Sequence, residues 1–309
     1  MPLGPRPRRA RVAVLAAWAA LALAPAARAD EVDARPRPAS APQPADAASG
    51  PERIVSLNPS LTAILVALGA SDRIVGVDVW SQRQNPELAA LPTVGGLYNP
   101  SLEALVAASP DLVVFVPSAE QREFHARLAS LGVHAEAFDP VRFDDVLASI
   151  ERLGRMAGVE AAARRRTARI RSVRAELERA VAGRAAPRTV LVLQREPLFV
   201  VGGGNFIHEM LTSVGAYNVA ASWDEPYPRV SLEWLVARAP EVILDASRDA
   251  EPPAEYWARW ASLPAVASGR VVRLPQGEAT LPGPALDDAL RLLARSVHGE
   301  AVAAAAPGR

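Results

Sequence analysis

NPSLEALVAASPDLVVF, residues 99–115, lies on RVSLEWLVARAPEVILD, residues 229–245, with a constant offset of 130 positions that brings Glu103 onto Glu233. Each stretch reads as a serine N-cap at Ser101 or Ser231, a short helix, a proline-marked turn and an apolar strand. Upstream, LVALGASDRIV (65–75) resembles MLTSVGAYNVA (210–220), with Gly69 on Gly215 at an offset of 146. The difference between the offsets leaves 16 extra residues in the first copy. One long repeat with a loop insertion predicts duplicated lobes; a solenoid would show many short periods.

Outward from the repeat, short β-branched runs alternate with longer segments of helical period, as in an α/β fold built on parallel strands. Strands are expected at 54–57, 74–77, 112–116, 133–138, 190–193, 242–244 and 271–274. Helices are expected at 60–69, 119–131 and 204–215, ending near Gly69, Gly132 and Gly215, where a glycine suits the left-handed cap. Between the copies, residues 143–183 carry no strand signal, and Glu160–Ala182 reads as one helix about 34 Å long. Ile170, Val173, Leu177 and Val181 share one of its faces, and its many arginines are expected on a solvated one. The fold class is therefore α/β, with two Rossmann-like lobes and mainly parallel central sheets joined by a single long α-helix. A helical strut resists bending, so hinge closure is expected to be small.

At the N-terminus Arg6, Arg8, Arg9 and Arg11 precede the apolar run VAVLAAWAALALA, followed by small residues at Ala27 and Ala29. That is the pattern of a cleaved export signal, too short for the roughly 20 residues that a membrane-crossing helix needs. The expected organisation is a signal peptide (1–29), a disordered Pro/Ala-rich linker (30–50), an N-terminal lobe (51–142), a connecting helical segment (143–183), a C-terminal lobe (184–300) and a disordered tail (301–309). With no cysteine, an exported chain forms no disulfide and carries no lipid on an N-terminal Cys. Basic and acidic residues balance at 34 each, which provides no general field for nucleic acid. The expected state is a periplasmic monomer.

RIVSLNPSLTAILVALGASDRIVGVD, VGGLYNPSLEALVAASPDLVV and EPYPRVSLEWLVARAPEVIL together resemble the periplasmic binding proteins for cobalamin, haem and ferric siderophores, from about Arg53 to His298. The resemblance implies two α/β lobes joined by one long helix, and a small-molecule chelate delivered to an inner-membrane ABC permease dimer with its ATPase. It also implies that one acidic residue on each lobe meets arginines of the permease, at positions matching Glu103 and Glu233. Independently, each glutamate stands in the first turn of a capped helix, where a carboxylate also complements the helix dipole by about 0.3–1 kcal/mol.

In open α/β lobes a ligand sits beyond the carboxyl ends of the strands. Trp80, after the strand at 74–77, Tyr98, before the Glu103 helix, and Trp223 and Tyr227, before the Glu233 helix, are expected in loops and are the candidate stacking contacts for a bulky ligand. Arg83 and Arg229 are candidates for pairing with a ligand carboxylate or phosphate. Beside the cobalamin-binding branch, positions that carry tryptophan there correspond to Leu97 and Val116, while Tyr227 keeps an aromatic. A haem carrier would offer Tyr or His to iron, and Tyr98 is the cleft candidate.

Other motifs carry little. Gly202-Gly203-Gly204-Asn205 lacks the third glycine of a dinucleotide fingerprint and the lysine of a Walker loop, and reads as a turn exposing helix N–H groups, the counterpart of Asn58-Pro59-Ser60. His208-Glu209 begins like a zinc-protease motif, but Thr212 stands where the second histidine belongs. No catalytic residue, protein-bound metal or cofactor is expected; cobalt or iron would belong to the ligand. The alternatives are a haem carrier of the same family, or a non-transport enzyme or sensor on the same scaffold.

Overall fold

Strands form where the β-branched runs stand, in a computed structural model that describes residues 50–117, 122–275 and 277–304. The expected signal peptide, the linker up to residue 49 and the last five residues of the tail lie outside the described residues. β1 (Ile54–Ser56), β2 (Ile74–Val77), β3 (Leu112–Phe115) and β4 (Ala135–Ala137) make a parallel sheet in the order β2-β1-β3-β4. The second sheet holds β5 (Arg188–Gln194), β6 (Phe199–Val200), β7 (Tyr217–Asn218), β8 (Val242–Asp245) and β9 (Val271–Arg273). Its parallel strands run β7-β5-β8-β9, the order of the first sheet, and β6 adds an antiparallel partner to β5. β3 and β8 are buried at every residue, as central strands covered on both faces require. The two-residue strands β6 and β7 are too short to show a period, and the 133–138 run yields only its middle three residues as β4.

In the first half, α1 (Pro59–Ala67), α2 (Val79–Gln84), α3 (Leu102–Ala107) and α4 (Arg122–Ser130) connect the strands. α5 (Phe143–Met156) and α6 (Glu160–Val181) lie between the sheets in sequence, and α7 (Phe206–Ser213), α8 (Leu232–Arg238), α9 (Pro253–Trp257), α10 (Pro264–Ala267), α11 (Leu286–His298) and α12 (Glu300–Ala303) complete the second half.

The duplication is visible atom by atom. Ser101 Oγ accepts from Ala104 N, and Ser231 Oγ accepts from Trp234 N, both at 3.2 Å, capping α3 and α8. Both helices run into a left-handed residue, Ser109 and Ala239, each with φ 45°, and then a proline. Arg53 Nε donates to Ser109 O at 2.9 Å and Arg188 Nε to Arg238 O at 3.0 Å, so the end of each helix is tied to the first strand of its sheet. Asp111 and Glu241, again 130 positions apart, accept from the backbone N–H of those same arginines. The extra residues of the first copy are accounted for largely by α2 and the turn Pro86–Leu88.

The connecting segment holds α5 and then the long helix α6, and one continuous buried cluster runs from Leu61 and Leu65 on α1 through Phe143 and Ile150 on α5 and Ile170 and Leu177 on α6 to Phe206 on α7 and Leu290 on α11. The long helix is thus packed into a shared core rather than standing as a bare spacer. Its arginines follow suit: Arg166 and Arg169 pair with Asp287 on α11, Arg171 with Glu151 on α5, and Arg174 reaches Ser213 on α7. Arg166, Arg169 and Arg174 are partly covered by these partners, whereas Arg164, Arg165 and Arg171 stay exposed on the expected solvated face. Directly beneath the gap between the sheets, Phe206 N donates to Val141 O at 2.8 Å and Glu209 accepts from Phe143 N at 2.8 Å while pairing with Arg142 at 2.5 Å. These contacts tie the segment before and into α5 directly to α7.

Candidate ligand cleft and docking rim

Two adjoining cavities of about 440 and 510 Å³ open at the carboxyl ends of both sheets, each within the usual range for small-molecule clefts. Asn58, Ser60 and Tyr98 line both, so they form one cleft. The first half contributes Trp80, Leu97, Val116 and Asp139; the second contributes Asn205, Phe206, Tyr227, Ala246, Arg248 and Leu281. Pro59, Pro140, Pro226 and Pro282 stand among them, and their fixed φ stiffens a rim otherwise made of loops.

Helix caps set the geometry. Asn58 accepts from Ser60 N at 2.9 Å, while Asn205 accepts from Ile207 N and His208 N at 3.0 Å each. The first-turn N–H groups expected to be open toward the cleft are therefore partly satisfied by the asparagines. The glycines before Asn205 serve a different purpose. A Cβ on Gly202 would stand 2.2 Å from Glu225 O, and one on Gly203 would stand 2.4 Å from Ala221 O. Their N–H groups donate to Pro226 O (2.9 Å) and Trp223 O (3.1 Å), and Asn205 Nδ2 also donates to Pro226 O. The glycine run is a clasp that holds the 221–228 loop, and with it Tyr227, against the mouth of the second lobe.

Of the sequence candidates, Trp80, Tyr98 and Tyr227 converge on the cleft, with exposures of 42%, 65% and 40%. Burial raises the Tyr227 phenol above its ordinary range, so it stays neutral. Trp223 is half-buried instead, packed on the cluster around Val219 and Leu235 with its ring 6.2 Å from that of Trp234, and is not among the lining side chains. Arg83 stands behind Trp80, its guanidinium carbon 5.2 Å from the ring centroid, and Arg229 is exposed away from the lining. Sequence reasoning placed the Asn58 and Asn205 turns near the cleft without naming the asparagines as lining residues, and it missed Phe206 and Arg248. The asparagines could have been found as N-caps before Pro59 and Phe206; Arg248 carries no local signal.

On the outer rim Glu103 and Glu233 are both exposed in the first turns of α3 and α8. The Glu233 backbone N–H, helped by the Ser231 hydroxyl, holds that carboxyl below its usual range, so it is ionised at neutral pH. Val106 and Val236, also 130 positions apart, lie exposed one turn further along each helix. Among the described residues, no helix is long and apolar enough to cross a membrane.

Two α/β halves sharing one buried core and one open cleft at their strand ends define a solute-binding protein. The chain belongs to the periplasmic binding protein family, whose description matches residues 54–277, and its role is that of the substrate-binding component of an ABC importer. It is 29% identical over 216 residues to the vitamin B12-binding protein of Salmonella choleraesuis (strain SC-B67), covering 69% of this chain and 80% of that one. The crystal structure of the periplasmic vitamin B12-binding protein of Vibrio cholerae superposes with a TM-score of 0.70 at 25% identity, covering 80% of this chain and 97% of that one. A periplasmic heme-binding protein from Pseudomonas aeruginosa gives a TM-score of 0.64 at 28% identity, covering 80% and 93%. All three are described as binding proteins, and the two solved structures as periplasmic ones.

Proposed function

We propose that the chain captures a bulky metal chelate, a corrinoid or a ferric siderophore, in the cleft and delivers it to its permease through Glu103 and Glu233. The observation that carries this is the convergence of Trp80, Tyr98 and Tyr227 from both halves, exposed in a cleft, in a chain with only 5% aromatic residues. Exposed rings cost hydration free energy that a flat or greasy ligand would recover on stacking. Cobalt or iron arrives as cargo, with no resident cofactor, and the mature protein works in the periplasm as a monomer after loss of residues 1–29. Haem is the second reading, favoured by Tyr98, a phenol bordering both cavities that could serve as an oxygen ligand to ferric iron. Titrating the purified mature protein with cyanocobalamin, cobinamide, haemin and a ferric hydroxamate, followed by tryptophan quenching and the ligand's visible band, separates these. Saturable binding of one is expected, and silence across all four rules out chelate capture.

A further inference from the structure

Arg248 leaves β8 on the second half and meets Trp80 across the cleft, its guanidinium carbon 6.0 Å from the ring centroid; Arg83, one turn along α2, lies 5.2 Å from the same ring. Asp78, itself buried, accepts from Trp80 N at 2.9 Å and from Ser81 N at 3.0 Å, which fixes the start of α2 and with it the indole. Among the described residues neither Arg83 nor Arg248 has a carboxylate partner. The acids near Arg248 are already engaged. Asp245 accepts from the buried Arg195 at 3.0 Å, Asp249 approaches that guanidinium at 3.6 Å, and Glu251 pairs with Arg259 at 2.5 Å. No acidic residue lines the cavity bounded by Trp80, and Arg248 is its one charged lining side chain among the described residues.

Stacking on an indole orients a guanidinium without neutralising it, and its N–H edge stays available for a planar, bidentate acceptor. We infer that Arg248, held against Trp80, forms an oxyanion subsite in this half of the cleft, so that the captured chelate carries a carboxylate or phosphate. The inference rests on chelate capture and adds the charge of the ligand to it. An uncharged or cationic ligand would leave the guanidinium uncompensated as the cleft fills and water departs.

The test compares probes that differ only in their acidic groups: cyanocobalamin against its monocarboxylic acid, cobinamide phosphate against cobinamide, and haemin against its dimethyl ester, in which both propionates are masked. At low salt, wild-type protein should favour the acidic member of at least one pair about tenfold, and the pair that responds tells carboxylate from phosphate. Arg248→Gln should erase that preference, Arg248→Lys should keep part of it, and Arg127→Gln, which removes an exposed charge on α4, should leave it unchanged. Equal affinities within every pair, or a preference that survives Arg248→Gln, would overturn the subsite while leaving chelate capture standing. Failure of wild-type protein to bind any probe would remove both.

Discussion

Asp287 offers the sharpest test of how the two halves are held together. Its side chain is 1% exposed and faces three arginines: Arg166 and Arg169 of α6, the latter at 2.9 Å, and Arg291 of its own helix at 3.5 Å. At an effective permittivity near 20 a unit pair about 4 Å apart gains about 4 kcal/mol, and desolvation offsets much of it. Removing one member of a buried pair costs about 3–5 kcal/mol, because the others stay buried without compensation. Arg166 and Arg169 retain 22% and 35% exposure and can partly rehydrate, so Asp287→Asn should cost less, about 2–3 kcal/mol. That corresponds to a fall in Tm of roughly 5–10 °C for a chain of this size. The neighbouring Asp288 pairs with Arg291 at 2.9 Å but is 72% exposed, and Asp288→Asn should change stability by no more than about 0.5 kcal/mol. Guanidinium chloride unfolding followed by tryptophan fluorescence measures both variants. Equal losses from the two substitutions, or less than about 1 kcal/mol from Asp287→Asn, would show that burial does not decide the strength of this clamp.

Glu103→Ala combined with Glu233→Ala should leave ligand affinity within about twofold and sharply reduce uptake in cells expressing the cognate permease; weakened binding by the purified double variant would argue against docking as their role. Gly202→Ala must displace the backbone around Glu225 O and should cost about 1–3 kcal/mol while weakening ligand binding through Tyr227; unchanged stability and affinity would contradict the clasp. Burial lowers the folded-state pKa of His208 and His298 from 6.5, so the unfolded chain takes up protons first on acidification. Their contribution is whole above pH 6.5 and is lost as pH falls through the lowered values, so Tm should drop between pH 7.5 and 5.5, and His298→Gln should flatten that drop; a Tm that rises on acidification would reverse the sign.

Legibility in the sequence followed the range of the interactions. The parallel strands, the caps at Ser101 and Ser231, the long helix and the exposure of both rim glutamates were readable because each is set by residues within a turn or two of one another. Arg248 was invisible because its place depends on Trp80, far away in the chain and on the other half. Trp223 misled for a related reason: a loop position does not reveal whether a ring turns to the cleft or, as here, toward Trp234. The solvated face of α6 was readable at Arg164, Arg165 and Arg171, but not the partners that draw Arg166, Arg169 and Arg174 toward α7 and α11, because those helices are distant in sequence.

The two copies have diverged unevenly, and the pattern separates two kinds of partner. Cleft positions are equivalent in backbone and different in chemistry: Leu97 answers to Tyr227, Val116 to Ala246, and the helix bearing Trp80 belongs to the extra residues of the first copy. Rim positions are equivalent in both respects, with Glu103 and Glu233, Val106 and Val236, and the same left-handed turn behind each helix. A ligand without two-fold symmetry needs different side chains on its two sides, whereas a permease built from two like subunits presents the same surface twice and is met by the same residues twice. On that physical ground the two rim glutamates should count alike in the proposed docking, and ligand binding should not tolerate exchange of the cleft residues. Glu103→Ala and Glu233→Ala, made singly, should therefore reduce transport to a similar degree, while Leu97→Tyr with Tyr227→Leu should lose ligand affinity by about tenfold or more.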